Sequence, residues 1–194
     1  GEWTIRRCER FATGGAGLIW LEATAVVEEG RTSASQLWLH EGNTDAFKAL
    51  AERMHALSDG APLILQLTHS GRFSRPYNVP APVITYHNPL MNEKMMIDPD
   101  YPVVTDAYLD TLPEKFGHAA KLARDAGFDG VDIKCCHKYL FSELLSAYNR
   151  PGRYGGSLEN RARLFLDSVA AASVWANDDF VLASRLGLYD CLPY

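Results

Sequence analysis

A lysine, two cysteines, a histidine and a tyrosine stand close together in this chain, as Lys134, Cys135, Cys136, His137 and Tyr139. A desolvated lysine amine can add to a carbonyl as a Schiff base. Protonated, the same lysine can hold an oxyanion as a point charge. A histidine and a tyrosine can donate hydrogen bonds or protons to a reacting group. The cluster follows the apolar run Val131-Asp132-Ile133, entered through a glycine-bounded turn after a helical pattern. It therefore sits at the carboxyl end of a buried strand, the place where α/β barrels collect their chemistry. Each residue also has a plainer reading. His137 can be a hydrogen-bonded, half-buried histidine, and Tyr139 an aromatic covering the core at a helix start.

Other chemistry-bearing residues lie on the elements around this strand. Gln66 interrupts the apolar run Pro62–Leu67 (PLILQL). A buried amide must be paired or it costs about 1–3 kcal/mol, so Gln66 needs a partner. Arg185 ends the run Phe180–Ser184, and the small residue Ala23 lies in Glu22-Ala23-Thr24-Ala25-Val26. Taken alone, Arg185 reads as a surface ion-pair partner and Ala23 as a packing residue.

The elements that must position these residues alternate between strand and helix. Glu2–Thr13 reads as a helix stopped by Gly14 and Gly15, and Ala16–Leu21 as a short strand. Asn43 and Thr44 are cap candidates for a helix through Leu57, closed by Gly60, ahead of the Pro62–Leu67 strand. Residues 73–110 are rich in proline and aromatics, a length at which a loop is a functional cover or disordered. Asp110 is expected to cap the next helix, with Pro113 in its first turn. Ser157 caps a helix over Leu158–Ala176 whose apolar side is Ala162, Phe165, Leu166 and Val169. The repeated strand–helix rhythm predicts a parallel sheet and a barrel rather than a sandwich.

The chain has 194 residues with 47% hydrophobic and 22% charged residues, an ordinary globular balance sufficient for one domain. A formal net charge of −5 argues against nucleic-acid or anionic-membrane partners. No apolar run reaches the roughly 20 residues of a membrane span, and no signal-peptide pattern opens the sequence, so cytoplasm is the expected location. The four cysteines, Cys8, Cys135, Cys136 and Cys191, form no CxxC pair. They read as free thiols in a reducing compartment, with no metal site expected.

Two ordered stretches, Ala126–Ile133 (AGFDGVDI) and Tyr154–Arg163 (YGGSLENRAR), together with EATAV and QLTHSGR, resemble the old yellow enzyme family of NADH:flavin oxidoreductases. The resemblance implies a (β/α)8 TIM barrel carrying noncovalent FMN, reduced by NADH or NADPH, that passes hydride to an activated alkene. It implies that the backbone at Ala23, the Gln66 amide and Arg185 contact the flavin. It implies that Lys134 and His137 hold the substrate carbonyl and that Tyr139 donates the proton. The family usually has histidine where Lys134 stands, small residues at Cys135 and Cys136, and glycine at Lys138. These departures point to a divergent substrate. Such a barrel takes about 250 residues. The expectation is therefore a partial barrel, roughly strands two to five with their helices, as a single domain over residues 1–194 with 73–110 over the site mouth. Loops expected to hold the FMN phosphate are not among these motifs, which implies weak flavin binding by this polypeptide alone. Exposed strand edges would favour a homo-oligomer. Two other readings are a catalytically silent half barrel and a Schiff-base aldolase using Lys134.

Overall fold

In the computed structural model, which describes residues 1–190, four parallel strands lie side by side in chain order. They are β1 (Ile19–Ala25), β2 (Leu63–Thr68), β3 (Gly130–Ile133) and β4 (Val181–Ala183). Six α-helices are described: α1 (Glu2–Thr13), α2 (Thr44–Leu57), α3 (Pro89–Met95), α4 (Asp106–Asp125), α5 (Leu140–Leu145) and α6 (Leu158–Ser173). Each of the first three strands is followed by helix and then by its next parallel neighbour, the repeating unit of a barrel wall. No helix among the described residues is long and apolar enough to cross a membrane.

Alternation along the strands divides the sheet into two faces. Ile19, Leu21, Leu63, Leu65, Leu67, Val131 and Ile133 are buried together with the helices' apolar residues. Trp20, Gln66 and Asp132 lie on the opposite, concave face, joined side chain to side chain. At Gly130, β3 has no room for a side chain. A Cβ there would stand 2.4 Å from the Val181 carbonyl oxygen and 2.8 Å from Ile64 Cδ1.

The helix starts follow from their caps, with one correction. The Ser157 hydroxyl accepts from the Asn160 amide at 3.3 Å, as expected for α6. For α4, however, Asp110 is not the cap. Thr105 caps it, accepting from the Tyr108 amide at 3.2 Å, and Pro113 lies inside the helix. An interior proline costs about 3 kcal/mol, but the earlier start buries Leu109 and Leu112 almost completely. Two such burials at about 1.5–3 kcal/mol each offset that cost. Asp110 instead accepts from the Tyr154 hydroxyl at 2.6 Å and from Arg153. On α6 the buried residues are Arg161, Leu164, Ser168 and Ala172; of the expected apolar side Phe165 and Val169 pack partly buried against the core, and Leu166 is exposed. α4 approaches α6 closely at Gly117, where a Cβ would stand 2.9 Å from the Ala171 carbonyl oxygen. Cys8, Cys135 and Cys136 are free and buried, while Cys191 lies outside the described residues.

The 73–110 segment is packed against the barrel wall by two buried arginines. Arg72 donates to Glu143 of α5, to Asn92 Oδ1 at 2.6 Å and to the Tyr86 carbonyl at 2.8 Å. The other Glu143 oxygen accepts from the Thr85 amide at 3.0 Å and hydroxyl at 2.9 Å. Arg150 donates to the carbonyls of Thr85 (2.6 Å) and Val104 (2.8 Å) and to Asp106 (2.7 Å). Burial pushes the Glu143 pKa up, and Arg72 pulls it back. Removing one partner of a buried pair strands the other charge. Glu143→Ala is expected to cost about 3–5 kcal/mol in urea denaturation; a loss below about 1 kcal/mol would show that the pair does not anchor the segment.

Candidate active site

The sequence-flagged residues converge at the carboxyl ends of the strands. Lys134 follows β3 and is only 5% exposed. Its ammonium lies 3.9 Å from the centroid of the Tyr139 ring, a cation–π contact. The His137 ring stands edge-on to Tyr139, with centroids 6.3 Å apart. Gln66 and Arg185 line one cavity of about 540 Å³ with Trp20, Leu21, Glu22 and Ser184. The Cys135 amide, next to Lys134, donates to the Arg185 carbonyl at 3.0 Å, so the two groups stand on neighbouring strand ends.

The residue that unites them is Asp132, which sequence reading passed over. Its side chain is fully buried. One carboxylate oxygen accepts from Trp20 Nε1 at 2.9 Å and from the Gln66 amide. The other accepts from the Arg185 backbone amide at 2.7 Å. Gln66 thus finds its partner in a carboxylate. An acid inside an otherwise apolar strand was the available signal, since a buried charge needs partners.

Ala23 lies where the β1–β2 register slips between Leu21 and Thr24. Its carbonyl accepts from Gln36 Nε2 at 2.8 Å. The Gln36 oxygen accepts from the Thr32 amide at 2.5 Å and hydroxyl at 3.0 Å. The Thr32 side chain in turn interacts with the Tyr139 hydroxyl. One loop therefore supports both Ala23 and Tyr139, a connection that no local periodicity carries.

Burial first, and then the Cys136 thiol, pushes the Tyr139 pKa above the usual phenol value, with Thr32 opposing. Tyr139 is therefore a protonated donor at neutral pH. Burial lowers the His137 pKa, and Lys134 and Arg185 lower it further, so a neutral imidazole is favoured. Burial and Arg185 lower the Lys134 pKa, while Cys136 and Asp132 raise it. Burial pushes Cys135 up to about 12 and raises Cys136, which fits packing thiols better than nucleophiles.

Two consecutive residues here adopt left-handed backbone, His137 (φ 64°) and Lys138 (φ 59°). This turn swings Tyr139 back beneath Lys134. The strain falls on a lysine where glycine would be at ease.

A deeper network braces the same loops. The Gly71 amide donates to His69 Nδ1 at 3.0 Å, so the neutral ring carries its proton on Nε2, facing the Tyr108 hydroxyl at 2.9 Å. That hydroxyl donates to Glu29 at 2.8 Å. The His69 carbonyl accepts from the Leu140 amide at 3.2 Å, just past Tyr139.

Comparison with known proteins defines the class. Residues 5–192 match the model of the NADH:flavin oxidoreductase / NADH oxidase family. The chain belongs to this family, that of the old yellow enzymes, whose cofactor is FMN with NADH or NADPH as reductant. It is 35% identical over 184 residues to an NADPH dehydrogenase of Halalkalibacterium halodurans, covering 93% of this chain and 52% of that protein. It is 31% identical to the putative 12-oxophytodienoate reductase 13 of Oryza sativa subsp. japonica, covering 90% of this chain and 47% of the relative. A morphinone reductase variant in complex with tetrahydroNAD superposes with a TM-score of 0.76 at 25% identity, over 93% of this chain and 54% of that one. A 2-naphthoyl-CoA reductase shares the fold, with a TM-score of 0.80 at 23% identity over 94% of this chain and 29% of that one. The chain spans about half the length of the curated relatives it matches. The fold is part of a TIM barrel, as the sequence implied.

Two outcomes follow for the site's supports. Lys138→Gly is expected to raise stability by about 1 kcal/mol, left-handed strain relieved less the added freedom of unfolded glycine. Unchanged or lower stability in chemical denaturation would contradict this. Burial lowers the His69 pKa from 6.5 to about 3. Between those values the unfolded state binds a proton that the native state refuses, so stability falls as pH drops below 6.5. His69→Gln should flatten that acid-side slope by up to about 1.4 kcal/mol per pH unit; an unaltered slope would exclude His69 as its source.

Proposed function

We propose that this chain carries the alkene-reducing side of an FMN-dependent NAD(P)H oxidoreductase. The observation that carries this reading is the meeting of Lys134, His137 and Tyr139 at the strand ends, beside the Gln66–Arg185 cavity. The residues present fit the ring system of FMN. The Gln66 side-chain oxygen has no hydrogen-bond donor among the described residues, so the amide can still accept from a pyrimidine-type ring N–H. The Arg185 guanidinium forms no ion pair among the described residues and is available to an electron-rich ring edge. At Ala23, a small side chain in the register slip lets backbone approach a flat ligand. Ala23, Gln66 and Arg185 would hold the ring, and we assign none of them to the phosphate.

Bound FMN would supply hydride taken from a nicotinamide. Lys134 and His137 then bind the substrate oxygen as donors and stabilise the charge that develops there. Tyr139, kept protonated by burial, delivers a proton to the substrate's α-carbon. Residues 73–110, held by Arg72 and Arg150, serve as a fixed wall beside this mouth, with Phe73 5.9 Å from Tyr139 ring to ring.

In the flavin-loaded enzyme, Tyr139→Phe is expected to slow alkene reduction about 100-fold or more while leaving quinone-driven NADPH oxidation intact. Undiminished alkene turnover would remove Tyr139 from the reaction. The lowered pKa of Lys134 also suits a Schiff-base amine. Borohydride trapping on Lys134 with a carbonyl substrate, in a colourless protein, would select that reading. It gives Gln66 and Arg185 no role, and family membership favours the flavin.

A further inference from the structure

A glutamine amide can face a ligand with either end, and at Gln66 the choice is made by Asp132. The two residues are register partners across β2 and β3, and Gln66 Nε2 donates to Asp132 Oδ2. That oxygen also accepts from Trp20 Nε1 at 2.9 Å, and Oδ1 accepts from the Arg185 amide at 2.7 Å. The carboxylate is thus held from β1 and from the chain just beyond β4, and it cannot turn without losing a donor. A carboxylate has only acceptors to offer. Turning the Gln66 amide over would set its oxygen against a carboxylate oxygen. Asp132 is fully buried and Gln66 is 6% exposed, a setting in which an unmet polar group is costly. What Gln66 leaves unused is its oxygen and its second N–H, and the residue lines the cavity that it shares with Arg185.

We propose that Asp132 is a positioning residue for the flavin: it fixes the sense of the Gln66 amide, so that the cavity selects a ring edge carrying an N–H next to a carbonyl. This rests on the reading that Gln66 meets the flavin ring. The pyrimidine half of a flavin has such an edge, with N3–H between two carbonyls. An amide of fixed sense meets it with oxygen to N–H and N–H to carbonyl. An amide free to turn over would serve the opposite edge equally well. Asp132 needs no contact with the ring or the substrate, because it acts through Gln66. Donors and acceptors aimed in advance cost little ordering when the ligand arrives.

Lumiflavin and its 4-amino analogue test this, since they share a shape and present opposite edges. The first offers N3–H; the second is cytosine-like, with an N3 acceptor beside an amine. Quenching of protein fluorescence in the whole chain should show lumiflavin binding about ten- to a hundredfold tighter. Asp132→Leu should let the amide turn and bring the two affinities within about threefold. Asp132→Asn keeps an acceptor for Gln66 and should keep the preference, with circular dichroism showing that each variant folds. Hydrogen exchange of the Gln66 side-chain amide in the unsubstituted protein needs no variant and no ligand. It should be slowed about tenfold or more relative to an exposed glutamine. The assignment is overturned if that amide exchanges freely, if both compounds bind equally well, or if the preference survives Asp132→Leu or is lost in Asp132→Asn. Equal binding leaves flavin in the cavity and removes the lock. A protected amide with neither compound bound removes flavin from the cavity, and the positioning role with it.

Discussion

A single buried carboxylate ties the four strands together. Asp132 on β3 accepts from Trp20 on β1, from Gln66 on β2 and from the backbone just after β4. Each bond crosses a strand boundary, so the pleat and the functional ends are set by the same atoms. A charge in that position is tolerable only because its oxygens are met by donors. The constraint is strict: the strands must keep their register, or a donor leaves the carboxylate. That is why a concave face can present Gln66 and Arg185 at fixed positions beside Lys134.

The cluster beyond β3 depends on a second constraint, the left-handed pair at His137 and Lys138. Without that reversal the chain would continue outward and Tyr139 would leave Lys134. The fold accepts local strain there because the surrounding contacts hold it. The His69 carbonyl receives the Leu140 amide, and the Thr32–Gln36 loop supports the tyrosine from the other side. Backbone conformation, burial and charge thus act on the same few residues.

Much of this was readable from the chain. α1 ends at Gly14 as expected and α2 spans Thr44–Leu57 as its apolar spacing implied, but α2 closes at Ser58 rather than Gly60 and Asn43 makes no side-chain cap bond to it. Gln66 stood out as an amide among apolar neighbours, and the strand-end cluster stood out by composition. Asp132 did not, since its three donors lie 112, 66 and 53 positions away. The start of α4 was misplaced because Asp110 and Pro113 resemble a helix opening. Burial of Leu109 and Leu112, a tertiary effect, decided otherwise. Leu166 was grouped with the apolar side of α6 on spacing alone, whereas it is exposed, and α4 and α6 approach closely at Gly117 and Ala171. Short-range rules place elements, and long-range polar bonds choose which face each one shows.

The Arg72 lock bears on how this protein could be remodelled. The arginine sits at the root of the 73–110 segment, yet its partners are Glu143 on α5 and Asn92 and Tyr86 within the segment, while Thr85 completes the glutamate. A loop transplanted from a relative would arrive without the matching acceptors and leave a buried guanidinium and carboxylate half served. Exchange of this region is therefore modular only when the unit carried across is drawn by its hydrogen bonds, with α5 travelling alongside, rather than by its place in the chain.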